Sequence, residues 1–292
     1  MRHRIENEWI AAEIETKGAE LKSLRNKETN REYMWQGDPV YWGRTAPVLF
    51  PIVGKLKEDK YQLNGKEYEM TQHGFGRDKE FELIEQQDDR LVFQLTSDSQ
   101  TKEHYPYDFR LRIRYTLRQN AIEVGYEVQN VNNEDMYFSI GGHPGFQVPM
   151  TKETAFEDYV VSVNPKEERE RIPLNGPYAD IEKVRIDDSV SEELKLKHSL
   201  FDQDALIYRM EGQNEVTIHS HQHEHFVRVS FSGFPYVGIW TPPAKKAPFL
   251  CIEPWHGLAD TVEASGELSQ KMGIRSLEPG STFQTSYQIE VG

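Results

Sequence analysis

An alternation of apolar and polar residues is the feature that most narrows the fold of this chain. Apolar side chains occupy every second position from Phe109 to Leu117 and again from Ile122 to Val128, with Gln119-Asn120 between the two runs. Successive side chains of a strand point to opposite faces, whereas a helix repeats every 3.6 residues. The two runs therefore predict two strands joined by a tight turn.

Short alternating runs recur in the rest of the chain. Residues 61–70 are typical of a hairpin, because Asn64-Gly65 supplies the positive φ angles that a type I′ turn needs. Other alternating runs begin at Leu91, Tyr159 and Phe283. Many short strands with charged outer positions favour a β-sandwich of antiparallel sheets, each with one wet face. We therefore predict a large all-β fold with few short helices, and Ser191–Leu200 is the best helix candidate.

The length of the chain, 292 residues, allows one large domain or two ordinary ones. Residues 166–197 are rich in charge, poor in apolar residues and interrupted by Pro173 and Pro177, as a linker would be. Patterned strands resume after them, so we predict a single domain over residues 1–292 with this stretch as an excursion within it. Aromatic residues make up 11% of the chain, which excludes a disordered protein.

Charge, apolar runs and cysteine content limit the partners and the cellular compartment that this chain is expected to have. A net charge of −14 repels phosphates and disfavours nucleic acid or an anionic membrane as a partner. No run approaches the roughly 18 apolar residues of a membrane span, and residues 1–15 lack the apolar stretch of a signal peptide. The single cysteine, Cys251, excludes an internal disulfide and a zinc site built from cysteines. We expect a cytoplasmic protein, because a reducing compartment suits such a chain.

Three segments interrupt the alternation and concentrate glycine, proline, histidine and ionisable residues. They are residues 44–55 continuing to 73–78, then 141–146, then 251–257. Such segments form loops or strand ends, where binding and catalytic residues are concentrated. We therefore expect the functional site to be built from these segments.

Two ionisable residues of these segments are candidates for acid/base catalysis. His143 sits between Gly142 and Pro144, in a turn that a ligand can approach closely, and histidine exchanges a proton near neutral pH. Glu253 follows the apolar run 249–252, where burial would raise the pKa of its carboxyl towards that of a useful base. The alternatives are a hydrogen-bonded turn histidine and a glutamate that faces water at a strand end.

Aromatic and cationic residues are candidates for ligand contacts. Four tryptophans could stack on a sugar or another ring: Trp35, Trp42, Trp240 and Trp255. Trp240 is the best placed of them, because it ends an apparent strand. Three cations, Arg44, Lys55 and Arg77, could form a site for an anionic ligand group, and surface ion pairs are the alternative.

Four alternating histidines form a separate local signal: His219, His221, His223 and His225. On a strand all four would project from one face, and a His-x-His pair could bind zinc, copper or iron. The sequence does not identify a completing ligand, and polar residues separate the histidines. An exposed hairpin is therefore favoured over a metal site, and no metal is assigned.

The three segments, taken in order, resemble the aldose 1-epimerase (galactose mutarotase-like) family and, within it, the bacterial LacX-like branch. The residues that carry the resemblance are Arg44, Phe50-Pro51, Gly54, His73-Gly74-Phe75, Arg77, His143-Pro144-Gly145-Phe146 and Glu253-Pro254-Trp255. The resemblance extends from Gly18 to about Ile289. It implies a large antiparallel β-supersandwich with the sugar in a cleft on one sheet.

The resemblance also implies an isomerase that interconverts the α and β anomers of an aldose without a metal or organic cofactor. It implies that Glu253 takes the proton of the C1 hydroxyl and that His143 protonates the ring oxygen. His73 and Arg44 would hydrogen-bond the sugar, and Asp204 would match the family's aspartate that binds a sugar hydroxyl. A small-molecule sugar is the expected partner, and we expect a monomer or a weak homodimer.

Two features differ from galactose mutarotases. Phe75 follows His73-Gly74 where they have a second glycine, and Pro254-Trp255 follows Glu253 where they usually have a glutamine two positions on. Arg77 resembles instead the branch that acts on hexose 6-phosphates. The sequence therefore leaves three alternatives to an epimerase of free hexoses: a hexose-6-phosphate epimerase, a non-catalytic carbohydrate-binding protein, and a cupin-like metal enzyme that uses the histidine tract.

Overall fold

The computed structural model describes residues 1–292, and almost all of its regular structure is strand. Strands β1 to β13 are Arg2–Glu6, Ile10–Glu15, Glu20–Asn26, Val48–Leu49, Lys60–Leu63, Lys66–Glu69, Glu82–Gln86, Arg90–Thr96, Phe109–Arg118, Ala121–Asn130, Met136–Phe138, Ile140–Gly142 and Gly145–Gln147. Strands β14 to β26 are Tyr159–Asn164, Arg169–Ile172, Leu174–Asn175, Tyr178–Ala179, Arg185–Asp187, Glu193–Lys195, Leu206–Arg209, Gln213–Ser220, Phe226–Ser232, Tyr236–Trp240, Phe249–His256, Arg275–Leu277 and Thr282–Val291. The one α-helix, α1, is Ser99–His104.

The helical turns that remain are short 3₁₀ segments: Lys57–Asp59, Gly76–Asp78, Phe156–Asp158, Ile181–Lys183, His198–Phe201 and Leu268–Gln270. Helix α1 begins at a capping box, in which the Asp98 side chain accepts from the Thr101 backbone N–H and the Thr101 hydroxyl lies against the Asp98 backbone. No helix of the structure combines the length and the apolarity that a membrane-spanning helix needs.

Two large antiparallel sheets make the sandwich. One has nine strands in the order β19-β14-β21-β22-β26-β10-β9-β8-β7. The other has eight, in the order β18-β15-β20-β23-β24-β12-β4, with β13 paired to β24 beside this path. A three-stranded sheet, β1-β2-β3, and three two-stranded ladders complete the fold. The predicted all-β, antiparallel fold class is confirmed.

The core lies between the two large sheets. Leu111 and Ile113 of β9 belong to the same buried cluster as Leu250 and Ile252 of β24, so the two sheets contribute to one apolar interior. The intervening arginines of β9 lie on the opposite, solvent-facing side, where Arg112 forms an ion pair with a glutamate of β10. Each strand therefore has one face towards the interior and one face free for other uses.

The predicted strands and hairpins occur where the alternation placed them. Strands β9 and β10 pair from Ala121 opposite Arg118, directly around the expected turn. The β5–β6 hairpin closes through Asn64 and Gly65, which have φ angles of 53° and 74°, as a type I′ turn requires. The alternating runs beginning at 91, 159 and 283 lie in β8, β14 and β26.

The predicted helix over Ser191–Leu200 is wrong. The segment contains strand β19, which pairs with β14 so that Leu194 lies opposite Val161, followed by a single 3₁₀ turn. Leu194 and Leu196 are buried and Lys195 between them is exposed, which is the period of a strand. Sheet pairing satisfies the backbone here and outweighs the local helix preference.

Candidate active site

The central element of the site is β24, the strand that follows the apolar run 249–252. All eight of its residues are buried, and they alternate between two faces of the eight-stranded sheet. Leu250 and Ile252 face the interior of the sandwich, while Cys251 and Trp255 belong to separate clusters outside it. Glu253 lies between these two in the alternation, so its carboxyl is on the face that points away from the core.

The turn at His143 is fixed against β24 on both sides. Strand β12 pairs with β24 through Ile140 and Gly141, and β13 pairs with it from Gly145 to Gln147. The glycines permit this approach: a Cβ on Gly141 would lie 2.6 Å from Cδ1 of Trp255, and one on Gly142 would lie 2.5 Å from the Tyr287 hydroxyl. His143 is consequently placed directly beside Glu253.

The imidazole and the carboxylate are in contact. Nε2 of His143 lies 3.2 Å from Oε2 of Glu253, and the side chains are almost fully buried. The contact lacks the alignment of a hydrogen bond, so that Oε2 has no hydrogen-bond partner in the protein. Nδ1 of His143 and Nε1 of Trp255 are also buried without a partner. Buried polar atoms are rarely left unpaired, and a ligand rich in hydroxyl groups would satisfy them.

Burial acts on the two groups in opposite directions. It raises the pKa of Glu253 well above its ordinary value, and the nearby charge of Asp204 raises it further. It lowers the pKa of His143 to about 3, with a smaller contribution from the positive charge of Arg77. The pair therefore resists both a second proton and the loss of its only proton, because either change leaves a net charge in a buried place. One proton shared between two groups is a suitable starting point for acid/base chemistry.

His73 presents a fixed donor to the same place. Its Nδ1 accepts a hydrogen bond from the Gly54 backbone N–H at 3.0 Å, so the ring proton is on Nε2. Burial, followed by the charge of His143, holds the pKa of His73 well below its ordinary value. The Nε2–H group, 3.3 Å from the side-chain amide of Gln72, is therefore a neutral donor.

These residues line a cavity of 310 Å³ on the outer face of the eight-stranded sheet. That volume is at the lower end of the range for small-molecule sites, about 300–1,000 Å³. Its wall contains His73, Arg77, His143, Asp204, Trp240 and Glu253 together with Gly54, Gln72, Trp42, Trp255 and a set of small or apolar residues. The cavity thus brings together a buried acid/base pair, a neutral donor, a carboxylate, a cation and three indole rings.

Comparison with known proteins identifies the family. A sequence model of the family described as aldose 1-epimerase matches residues 1–275. The chain belongs to the aldose 1-epimerase family. The plasmid-encoded protein LacX of Lactococcus lactis subsp. lactis is 31% identical over 298 residues, which cover 98% of each chain.

Solved structures of this epimerase family show the same fold. A galactose mutarotase related enzyme from Lactobacillus acidophilus is 38% identical with a TM-score of 0.98, and the match covers 100% of this chain and 97% of that one. A galactose mutarotase-like protein from Lactobacillus casei is 33% identical with a TM-score of 0.92, and both chains are covered in full. The resemblance read from the sequence and the galactose mutarotase-like fold are confirmed.

Six of the seven site residues named from the sequence lie on the wall of this epimerase-family cavity. The exception is Arg44, whose Nη2 donates to Asp78 at 3.0 and 3.3 Å. Its charge still lowers the pKa values of His73, Arg77 and His143, so it lies near the cavity without lining it. Lys55, the third cation, pairs with Asp59 at 2.7 Å. The cationic contribution of the cavity wall comes from Arg77.

Arg77 is partly desolvated and incompletely paired. Its Nη2 donates to the Gln72 backbone carbonyl at 2.6 Å, while Nε is buried without a hydrogen-bond partner. The closest carboxylate oxygen, on Asp78, is 3.9 Å from Nε. Burial and the charge of Arg44 lower the pKa of Arg77 to about 10, so it remains a cation at neutral pH.

Trp42, one of the four candidate tryptophans, lies directly against His143, although the sequence favoured Trp240 over it. Its ring stacks on the His143 imidazole with centroids 4.7 Å apart and planes 25° apart. Trp240 meets the same imidazole edge-on at 5.5 Å. The two indoles hold the His143 ring and exclude water from it, which contributes to the low pKa of the imidazole. The position of Trp42 in the loop before Arg44 is the feature of the sequence that pointed to this location.

The thiol of Cys251 is a third potential metal ligand at this place, since it lies within 4.8 Å of the His143 and Glu253 donor atoms. Burial raises the pKa of the thiol well above its ordinary value, so the group is a protonated, apolar neighbour of the pair. Cys251 is completely buried, as a small apolar core residue would be.

A second cavity, of 370 Å³, lies on the outer face of the nine-stranded sheet. Its charged side chains are already paired, with Arg112 on Glu127 at 2.9 Å and Arg114 on Glu123 at 3.1 Å. It contains no buried acid or base comparable with Glu253 and His143. The cavity on the eight-stranded sheet is therefore the candidate active site.

Proposed function

We propose that this chain is an aldose 1-epimerase, an isomerase that interconverts the α and β anomers of a free hexose by acid/base ring opening. The observation that carries the proposal is the contact of 3.2 Å between His143 Nε2 and Glu253 Oε2, buried on the wall of a cavity of 310 Å³. Membership of the aldose 1-epimerase family supports it.

Ring opening of a hemiacetal needs one group to remove a proton and another to supply one. In the proposed mechanism the Glu253 carboxylate takes the proton of the C1 hydroxyl while the His143 imidazolium protonates the ring oxygen. The bond between C1 and the ring oxygen breaks, and the free aldehyde forms. After rotation about the C1–C2 bond, His143 takes the proton back and Glu253 returns its own to the carbonyl oxygen.

The electrostatics of the pair suit this cycle. Before ring opening the pair is an anion beside a cation, and afterwards it is a neutral acid beside a neutral imidazole, so its net charge is zero throughout. Burial favours the second state, since it raises the pKa of Glu253 and lowers that of His143. The free site therefore rests as the neutral pair, and in the proposed cycle the proton passes from Glu253 to His143 across their 3.2 Å contact before the ring opens. The ring-opening step therefore moves the proton towards the arrangement that the site stabilises.

The remaining wall residues are proposed to hold the sugar. His73 would donate from Nε2 to a sugar oxygen, and Asp204 would accept from a hydroxyl. Trp240 would cover an apolar face of the ring. Arg44 would act through its charge on the histidines, because its guanidinium is engaged by Asp78. The reaction is proposed to need no metal or organic cofactor.

The biological role, the compartment and the oligomeric state are proposed as well. We propose a carbohydrate-binding enzyme of carbohydrate metabolism that acts in the cytoplasm on a small-molecule sugar, as a monomer or weak homodimer. The absence of cysteine pairs and the acidic charge of −14 support the compartment and the lack of nucleic-acid or membrane partners.

The function is tested by exchange between the α and β H1 signals of dissolved sugars, measured by two-dimensional NMR. A panel of free hexoses and their 6-phosphates is compared with buffer alone. We expect acceleration for at least one free hexose. Tight binding of a sugar without acceleration would instead support the non-catalytic carbohydrate-binding alternative.

A hexose-6-phosphate epimerase is the second candidate, and Arg77 is the observation that favours it. Arginine binds phosphate bidentately, and this guanidinium is desolvated with an unpaired Nε. Against it, Arg44 and Lys55 are engaged by Asp78 and Asp59. We therefore keep free hexose as the first choice.

The Arg77→Ala variant separates the two candidates. If phosphate is the natural handle, kcat/KM for the phosphorylated sugar should fall by roughly 10- to 150-fold, the equivalent of about 1.5–3 kcal/mol for a charged hydrogen bond, with little change for the free sugar. We expect instead that the preference for free sugar, measured as the ratio of the two kcat/KM values, is unchanged. Arg118→Ala, an exposed arginine of the other sheet, is the matched control.

A further inference from the structure

The histidine tract lies at the end of β21 and in the turn that follows it. Strand β21 ends at Ser220 and pairs with β22, so the predicted hairpin is present, although only His221 of the four histidines is exposed and the other three are half-buried. The expectation that all four histidines share one face does not hold, because residues 221–225 leave the strand. His223 lies 2.8 Å from the Tyr159 hydroxyl, and His225 lies 3.1 Å from the Arg31 guanidinium. The tract therefore divides into two pairs with different surroundings.

The structure supplies the ligand that the sequence could not identify. Glu193, on edge strand β19, has Oε2 2.8 Å from Nε2 of His221 and Oε1 3.7 Å from Nε2 of His219. One donor atom from each of the three residues lies within 4.8 Å of the other two. The carboxylate thus already lies near the Nε2 atoms of both imidazoles, and it is within hydrogen-bonding distance of the one on His221.

We propose that Glu193, His219 and His221 form a binding site for a divalent transition-metal ion, with Zn²⁺ as the ion of choice. Imidazole nitrogen and carboxylate oxygen are ligands that Zn²⁺ accepts, and three protein ligands leave a position for water. The site is on the nine-stranded sheet, whereas the sugar cavity is on the eight-stranded one, so the inference is independent of the proposed function.

The surroundings favour a cation. The chain has a net charge of −14, which raises the local concentration of cations around it. Ser162, on the strand between β19 and β21, has its hydroxyl 2.9 Å from Nε2 of His219. Metal binding replaces that hydrogen bond and leaves the hydroxyl free to bind the coordinated water, as neighbours of metal ligands commonly do.

A metal ion bound at this site would connect two strands of the nine-stranded sheet. Strand β19 has three residues, lies at the edge of the sheet and pairs only with β14. A metal held by Glu193 and by the histidines of β21 and its turn would clamp β19 across β14. This edge strand ends the charge-rich stretch 166–197, whose earlier residues Leu174 and Pro177 line the sugar cavity. The ion would therefore stabilise the outer part of the fold without touching the reacting groups.

The test is calorimetric titration of tag-free, EDTA-stripped and dialysed protein with zinc chloride in a buffer that does not chelate. We expect one ion per chain with a dissociation constant on the order of 1–100 µM, and a loss of at least about tenfold in affinity in His221→Ala and in Glu193→Gln. His223→Ala is the matched control and should change the affinity by less than about threefold.

Thermal unfolding and activity complete the test. With zinc at about ten to a hundred times the wild-type dissociation constant, we expect the melting temperature of wild type and His223→Ala to rise by about 2–6 °C, with a smaller rise in Glu193→Gln at the same zinc concentration. Anomerisation should be unchanged by EDTA or zinc, whatever the outcome of the titration. Absence of binding, or binding that survives in both His221→Ala and Glu193→Gln, would overturn the site. Activity lost on chelation and restored by metal would instead contradict the proposed cofactor-free reaction.

Discussion

Replacing Glu253 by glutamine is expected to lower kcat for anomer exchange by about 10²–10⁴, the usual contribution of a positioned acid or base. Glutamine keeps the size of the side chain and its place on β24, but it cannot hold the proton that ring opening transfers. Because the carboxyl is buried 3.2 Å from His143 Nε2, water has little access to replace it. The expected loss is in kcat more than in KM, since the group acts on the reacting bond.

The stability of Glu253→Gln should move the other way. The folded-state pKa of Glu253 is raised above the ordinary 4.5, so the stability that the protonated carboxyl contributes is present below that value and is lost as pH rises through the raised pKa. The glutamine variant does not undergo this loss, and its melting temperature at pH 8 should equal or exceed that of wild type. Glu278→Gln, at an exposed turn, is the matched control and should leave both properties unchanged. Near-wild-type exchange in the folded Glu253→Gln variant would remove the assigned base.

Replacing His143 by asparagine is expected to cause a loss of the same size, about 10²–10⁴ in kcat. Asparagine can hydrogen-bond but does not titrate, so it cannot return the proton to the ring oxygen. The change also removes the ring that stacks on Trp42 at 4.7 Å, and near-ultraviolet circular dichroism of the tryptophans reports whether the pocket has kept its shape.

The double variant distinguishes a working pair from two separate contributions. Because the two groups pass one proton through the sugar, combining Glu253→Gln with His143→Asn should cost less than the product of the single losses. The double-mutant cycle is completed by measuring the exchange rates of wild type, the two single variants and the double variant on one free hexose. Multiplicative losses would show that the two residues act independently, and an active His143→Asn variant would exclude His143 as the acid.

The strands could be predicted because sheet packing leaves a mark of period two on the sequence. In β9 every apolar residue from Phe109 to Leu117 is buried and each arginine between them is only partly buried. The failure at Ser191–Leu200 has a physical cause, since β19 is a three-residue edge strand whose pairing with β14 comes from residues 30 or more positions earlier. No local signal of that length separates a strand from a helix.

The placement of His143 and Glu253 in one cavity could be predicted because glycine, proline and histidine mark a backbone that approaches another strand. Gly141 and Gly142 are required by Trp255 and Tyr287, residues far along the chain. The apolar residues of the cavity wall that come from the charge-rich stretch could not be predicted from the sequence. Leu174 and Pro177 reach the cavity from the charge-rich stretch 166–197 only through the sheet topology.

The spacing of residues along the sequence could not predict which side chains pair with one another in the site. Arg44 carries the family resemblance, yet its guanidinium is engaged by Asp78, 34 positions away, and Arg77 lines the cavity instead. In the same way the third ligand of the histidine tract, Glu193, comes from another strand. Long side chains take the partner that the fold brings within reach, and that depends on register rather than on composition.

The pH dependence of kcat/KM for wild-type anomer exchange, corrected for the buffer rate, tests the central claim most directly. Burial lowers the pKa of His143 to about 3 and raises that of Glu253, so the pair should keep its single proton across the neutral range. We expect a profile that is flat within about threefold from roughly pH 5 to pH 8. Groups with ordinary pKa values would lose their shared proton above about pH 6.5, and a fall of tenfold or more between pH 6 and pH 8 would therefore contradict a buried, proton-sharing pair.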